Sequence, residues 1–91
     1  MRDGRQRLDK WLWFARFAKT RTLAARLVTD GHVRVNGTRT DNAAKGLVLG
    51  DVVTVSAPHA TMAIRVVDLG TRRGPAEEAK SLYAALSEGA E

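Results

Sequence analysis

The run from Arg7 to Gly37, RLDKWLWFARFAKTRTLAARLVTDGHVRVNG, changes its hydrophobic period as it goes, and that succession restricts the folds open to the chain. From Arg7 to Ala18, steps of about 100° per residue gather Leu8, Trp11, Leu12, Phe14, Ala15 and Ala18 on one broad face, which predicts an amphipathic helix. Lys19-Thr20-Arg21-Thr22 interrupts the pattern, and Thr20 stands where an N-cap hydroxyl would accept from the first turn of a second helix. That helix is expected from Arg21 to Thr29, with Leu23, Ala24, Leu27 and Val28 inward. It should stop at Asp30-Gly31, because glycine suits the left-handed position after a helix. The period then drops to two: Val33 and Val35 alternate with His32 and Arg34, so a strand follows. Asn36 and Gly37 both tolerate positive φ and predict a tight hairpin, with Thr38 to Thr40 returning.

Charge is concentrated on the same part of the chain. Residues 1–39 hold ten Lys or Arg against three acids (Asp3, Asp9, Asp30), a net +7, while residues 40–91 hold five basic residues against seven acids, a net −2. A basic helical half calls for a polyanionic partner, nucleic acid ahead of an anionic membrane or an acidic protein surface. Arg21 and Arg26 share the outer face of the second helix with Thr22, Ala25 and Thr29, small side chains that let a phosphate come close. Trp13 and Phe17 fall outside the apolar face, beside Lys10. They are either stacking platforms for unpaired bases or surfaces covered by the sheet or the C-terminal segment.

The remainder reads as one small domain. Residues 1–6 form a flexible basic arm, residues 7–70 the main unit, and residues 71–91 a connector and C-terminal helix. Asp41 to Gly46 is a polar loop whose Lys45 reaches the cationic side; Gly50-Asp51 marks a turn, and Val52 to Val55 a strand. A turn over Ser56 to Ala60 leads to a further strand, Thr61 to Val67, with Met62, Ile64 and Val66 on one side. Pro75 opens a helix over about Ala76 to Ser87, Glu77 and Glu78 favouring its dipole, with Ala79, Leu82, Tyr83 and Leu86 docking on the domain.

Several chemistries are excluded. Without cysteine there is no disulfide framework, thiolate metal site or thiol nucleophile, which fits a reducing compartment. The two histidines, His32 and His59, stand at no metal-ligand spacing, the acids are scattered, and no glycine-rich phosphate loop is present. No catalytic, cofactor or metal site is expected. The N-terminus lacks a signal peptide's apolar segment, and the longest apolar runs fall far short of the ~20 residues of a membrane span, so a cytoplasmic protein is expected.

Arg7-Leu8-Asp9-Lys10-Trp11-Leu12, Lys19-Thr20-Arg21, Gly31-His32-Val33-Arg34-Val35-Asn36-Gly37 and Leu49-Gly50-Asp51 together resemble the RNA-binding domain of ribosomal protein S4. The resemblance implies an α+β fold: an αL motif of two N-terminal helices packed on a small, bent, mostly antiparallel sheet, plus here a C-terminal helix. Trp11-Leu12-Trp13, Ala15-Arg16-Phe17, Arg72-Arg73, Pro75-Ala76 and Leu82-Tyr83 narrow the similarity to the heat-shock protein 15 family. Membership implies a stand-alone binder of ribosomal RNA on the large (50S) subunit, acting in rescue of subunits blocked by nascent chain-tRNA under stress; nothing in the sequence suggests a dimer, so a non-enzymatic monomer is expected. Longer relatives carry a charged, partly basic extension where this sequence has Glu88 and Glu91. The positions matching the RNA face are Arg7, Lys10, Arg16, Lys19, Thr20, Arg21, Arg26, His32, Arg34 and Asn36, turn geometry coming first for Asn36. Leu8, Leu12, Leu23, Leu27, Val33 and Val35 should be core. A DNA-binding module, which two helices and a basic turn can mimic, and a generic RNA-binding adaptor in ribosome assembly are the alternatives.

Overall fold

The computed structural model describes residues 4–56 and 61–87. In chain order the elements are β1 (Gln6–Arg7), α1 (Leu8–Phe14), α2 (Arg21–Thr29), β2 (Val33–Val35), β3 (Thr38–Arg39), β4 (Gly46–Leu47), β5 (Val52–Ser56), β6 (Thr61–Val66), α3 (Ala76–Ala79) and β7 (Tyr83–Ser87). A 3-10 turn, Lys80–Leu82, joins α3 to β7. Five strands form an antiparallel sheet in the order β3-β2-β5-β6-β7, and β1 pairs with β4 in a separate ribbon. The fold is the α+β arrangement expected, with α1 and α2 laid against one face of the sheet.

Alternation in the strands makes that face. Val33 stands opposite Val55, Val35 opposite Val53, and Val53 opposite Ile64, so one row of β-branched side chains crosses three strands. Leu8, Trp11 and Leu12 of α1 and Ala24 and Val28 of α2 close over this row, all of them fully buried. Each buried leucine or valine among them contributes about 1.5–3 kcal/mol by leaving water. Trp11 sits at the centre, stacked on Phe17 at 6.2 Å, edge-on to Tyr83 at 6.5 Å, and donating its indole N–H to the Asp68 carbonyl at 2.9 Å.

Both helices end in the same device. At α2 the Gly31 N–H bonds the Val28 carbonyl and the His32 N–H bonds that of Leu27, with Gly31 at φ 85°, the pairing expected of a glycine after a helix. At α1 the Arg16 N–H bonds the Trp13 carbonyl, and the Phe17 N–H bonds that of Leu12. Here the left-handed position is filled by Arg16 at φ 65°, and Phe17 folds back onto Trp11 as the motif's apolar contact. The first helix therefore stops at Phe14, not Ala18, because Arg16 takes the left-handed position, and with no glycine there the sequence does not signal the end.

Packing decides between the two readings of Trp13 and Phe17 and corrects other expectations. Phe17 also meets Tyr83 at 5.2 Å, and Trp13 lies under the Arg73 guanidinium, 6.0 Å from its ring centroid, so the C-terminal segment covers both aromatics in place of a nucleobase. Leu23 is 46% exposed and Leu27 half-buried: α2 touches the core through the narrow stripe Ala24–Leu27–Val28, which leaves Leu23 at its edge. Gln6, assigned to a flexible arm, is buried in β1 opposite Leu47. The C-terminal helix is one α turn and one 3-10 turn; from Tyr83 the chain joins β6 as the last strand of the sheet. The Asn36-Gly37 hairpin is as expected, with φ 53° and 85°. The turn placed over Ser56 to Ala60 lies, beyond Ser56, outside the described residues.

Candidate nucleic-acid interface

The corner between α1 and α2 is assembled around one buried carboxylate. Asp9 accepts two hydrogen bonds at 3.1 Å from the Arg7 guanidinium and one at 2.7 Å from the Lys10 backbone N–H. Its Oδ2, which accepts from Arg7 Nη2, also stands 3.8 Å from Nε of Arg21, the first residue of α2. The Asp9 side chain is only 5% exposed, whereas those of Arg7 and Arg21 are 50% and 44% exposed. A single sunken negative charge thus holds the Arg7 guanidinium by two hydrogen bonds and attracts that of Arg21 across a longer gap, while leaving their outer donors to solvent. The paired carboxylate also raises the Arg7 pKa, through the hydrogen bond first and the charge second, so this cation stays charged.

The loop after β3 is tied to the same corner. The Leu8 N–H donates to the Lys45 carbonyl at 2.9 Å and the Asp9 N–H to that of Ala43 at 3.0 Å, which satisfies the free amides of the α1 first turn and brings Lys45 alongside. Between loop and helix lies a concave depression lined by Arg5, Gln6, Arg7, Lys10, Ala44 and Gly46. The Arg5 side chain lies directly over Gly46, where a methyl group would stand 3.0 Å from its Cδ. Lys10 is held over the Phe14 ring, 5.6 Å from its centroid.

Thr20 caps α2 as expected, its Oγ1 accepting from the Leu23 N–H at 3.1 Å. Lys19, Thr20, Arg21 and Arg26 are all exposed, Lys19 and Thr20 in the connection and Arg26 on the outward side of α2. The structure thus brings Arg7, Lys10, Lys19, Thr20, Arg21 and Arg26 together on the helical layer, with Arg5 and Lys45 beside them. Arg5 escaped the sequence reading because a two-residue strand leaves no periodic trace. Only the alternation of Arg5, Gln6 and Arg7 around a buried glutamine hints at it.

The other four positions lie elsewhere or are engaged. Arg16 turns back to donate its Nε–H to the Gly74 carbonyl at 2.8 Å. Asn36 accepts from the Val52 N–H at 2.9 Å and donates to Asp51 at 3.1 Å, so its amide clamps the hairpin to β5. Arg34 is on the face of the sheet turned away from the helices, opposite Arg39, and His32 precedes it with the same parity. Among the described residues no group of three or more His, Cys, Asp or Glu could hold a metal ion, and no helix is long and apolar enough to cross a membrane.

Comparison with known proteins agrees with this construction. The S4 domain family model matches residues 6–53, from β1 into β5. Heat shock protein 15 of Escherichia coli K12 is 39% identical over 85 residues, covering 93% of this chain and 63% of that protein, so the chain spans just under two thirds of the curated relative. Small ribosomal subunit protein uS4 of Fusobacterium nucleatum is 40% identical over 50 residues, or 55% of this chain and 26% of that protein. Among solved structures, a trimeric structure of Vibrio cholerae heat shock protein 15 superposes with a TM-score of 0.85 at 39% identity, covering 90% of this chain and 82% of that one. The S4 match falls on the elements that build the cationic corner, and the similarity to heat shock protein 15 runs on through the C-terminal segment that covers Trp13 and Phe17; the chain belongs to the S4-domain family and, within it, to the heat shock protein 15 family.

Proposed function

We propose that this chain is a non-enzymatic RNA-binding protein that uses the α1–α2 corner to hold ribosomal RNA of the large subunit. The observation that carries the reading is the Arg7–Asp9–Arg21 arrangement, with Lys10 and the depression beside it. Guanidinium groups pre-set by a buried acid present forks to phosphate oxygens. The corner's shape suits backbone contact at a helical junction more than the reading of base edges, since a double-stranded RNA major groove is too narrow for side chains. Membership of the heat shock protein 15 family supports a cytoplasmic role in rescuing subunits that still carry a nascent chain on tRNA.

The test is co-sedimentation with purified 30S, 50S and 70S particles, with and without peptidyl-tRNA, across a salt series. Preferential, salt-sensitive association with 50S particles bearing peptidyl-tRNA is expected. Equal binding to all three particles would sink the rescue role while leaving RNA binding intact, and stronger retention on duplex DNA would replace RNA as the partner. The sequence suggested a monomer of 9.9 kDa, whereas the Vibrio cholerae relative is described as trimeric, so sedimentation velocity of the free protein distinguishes that mass from three times it.

A further inference from the structure

The strands of the five-stranded sheet contain three arginines and no acid, and all three arginines take outward positions. Arg34 on β2 stands opposite Arg39 on β3 and opposite Thr54 on β5; Thr54 faces Ala63 on β6. Two residues along, Val52 faces Arg65, which faces Ala84 on β7. Residues in register share a face, so Arg39, Arg34 and Arg65 lie on one surface, the reverse of the row that packs on α1 and α2. All three are exposed, and Thr54 and Ala63 between them are half-exposed, so no described element covers this face. Arg39 leans against Gly31 in a shallow depression that also holds Asp30 and Asp41, and Arg65 lends one N–H to the Gly50 carbonyl at 3.3 Å.

Folded contacts account for only part of this pattern: Arg39 has Asp30 and Asp41 nearby and Arg65 has the Gly50 carbonyl, while Arg34 faces another arginine. Like charges directly opposite on neighbouring strands, as at Arg34 and Arg39, cost stability that an anion would restore. The side chains between the arginines are small, and the outward positions of these strands carry no aromatic ring on which a base could stack. Arg34 and Arg65 are about 12 Å apart by strand spacing and rise, enough for each to meet its own phosphate. We propose that the open face of the sheet is a second RNA-phosphate surface, made by Arg34 and Arg65 with Arg39 at its edge. The protein would then hold one RNA segment at the α1–α2 corner and another on the opposite side. This rests on the RNA-binding reading above and extends it from one contact to a bridge between two segments.

Two populations of one short RNA duplex, one carrying a donor dye and one an acceptor, test this with the full chain. Wild-type protein is expected to bring them together, read as energy transfer, while anisotropy reports single-duplex binding. The variant Arg34→Gln/Arg65→Gln should lose transfer yet still bind one duplex, and its salt dependence should flatten by ~0.9 for each phosphate contact removed. Arg34→Lys/Arg65→Lys should restore transfer, and the melting midpoint should fall in neither variant. Lys10→Ala/Arg21→Ala should lose transfer by removing the other arm. Wild-type binding without transfer, or undiminished transfer in Arg34→Gln/Arg65→Gln, overturns the second surface while leaving the corner in place. Failure of wild-type protein to bind either duplex would instead remove the RNA reading itself.

Discussion

Arg16 shows how one residue can be legible in type and hidden in role. Its charge and position suggested an RNA contact, but its backbone sits at φ 65° and its Nε–H is committed to the Gly74 carbonyl. A non-glycine residue in that region costs roughly 1–2 kcal/mol, and a net hydrogen bond returns about 1 kcal/mol. Arg16→Ala should therefore destabilise the fold by about 1 kcal/mol, since it loses the bond and keeps the strain. Arg16→Gly should stay near wild type, because relief of the backbone offsets the lost bond. Urea denaturation of both variants decides it: equal destabilisation would mean the αL strain is negligible. The same reasoning ranks Asn36, whose replacement by Ala removes both the side-chain clamp and the tolerance of φ 53°. About 2 kcal/mol is expected for Asn36→Ala, with Asn36→Gly costing less because it keeps the turn. Thr20, Gly31 and Asn36-Gly37 were readable because their chemistry is specific to a cap or a turn; Arg16 was not, because nothing in an arginine announces the end of a helix.

At the scale of elements, the two helices and strands β2, β5 and β6 could be read from period alone, whereas β1 and β4, two residues each, could not. The C-terminal segment misleads for another reason. Ala79, Leu82, Tyr83 and Leu86 suit a helix, but β6 offers an open edge, and Tyr83 in strand geometry completes the ring cluster with Trp11 and Phe17. Tertiary pairing thus overrides local pattern after a single α turn. That turn is fastened by Arg72, whose guanidinium grips both oxygens of Glu78 at 3.1 and 2.6 Å. The hydrogen bonds from Arg72, more than its charge, hold the Glu78 carboxyl below its ordinary value. A lowered value in the folded protein means that protonation opposes the folded contact. Its contribution is complete above the ordinary glutamate range and is lost as the pH falls through the lower folded value. Arg72→Ala should move the Glu78 titration upward, toward the ordinary range, in a carboxyl-resolved NMR series; an unmoved midpoint would show that the fork does not persist in solution.

Across the whole molecule, the basic half read from the sequence divides between two surfaces; the period of two set Arg34 apart from the core, but only the register of the strands shows which arginines join it. Arg7, Lys10 and Arg21 gather on the helical side and Arg34 and Arg39 on the reverse, where Arg65 from the second half of the chain joins them, because strand parity sends alternate residues through the sheet. Stability and binding should consequently separate by residue at the corner. Arg21 is nearly half exposed and stands 3.8 Å from Asp9, so Arg21→Ala should leave the melting midpoint almost unchanged. Its effect should be on RNA affinity and on the salt slope, which falls by about 0.7–0.9 for each lost phosphate contact. Arg26→Ala should behave alike, and the double variant should show the sum of the two slope changes if the contacts are independent. Asp9 is the converse case, because its buried oxygens hold the Arg7 side chain and the Lys10 amide. Asp9→Ala strands that amide and should cost about 1–3 kcal/mol, where each kcal/mol lowers the melting midpoint of a domain this small by about 4–8 °C. Measured side by side, a midpoint drop confined to Asp9→Ala and a slope change in Arg21→Ala would show the carboxylate as scaffold and the arginine as contact. A midpoint drop in Arg21→Ala as large as in Asp9→Ala would make the arginine structural and move the interface away from the corner.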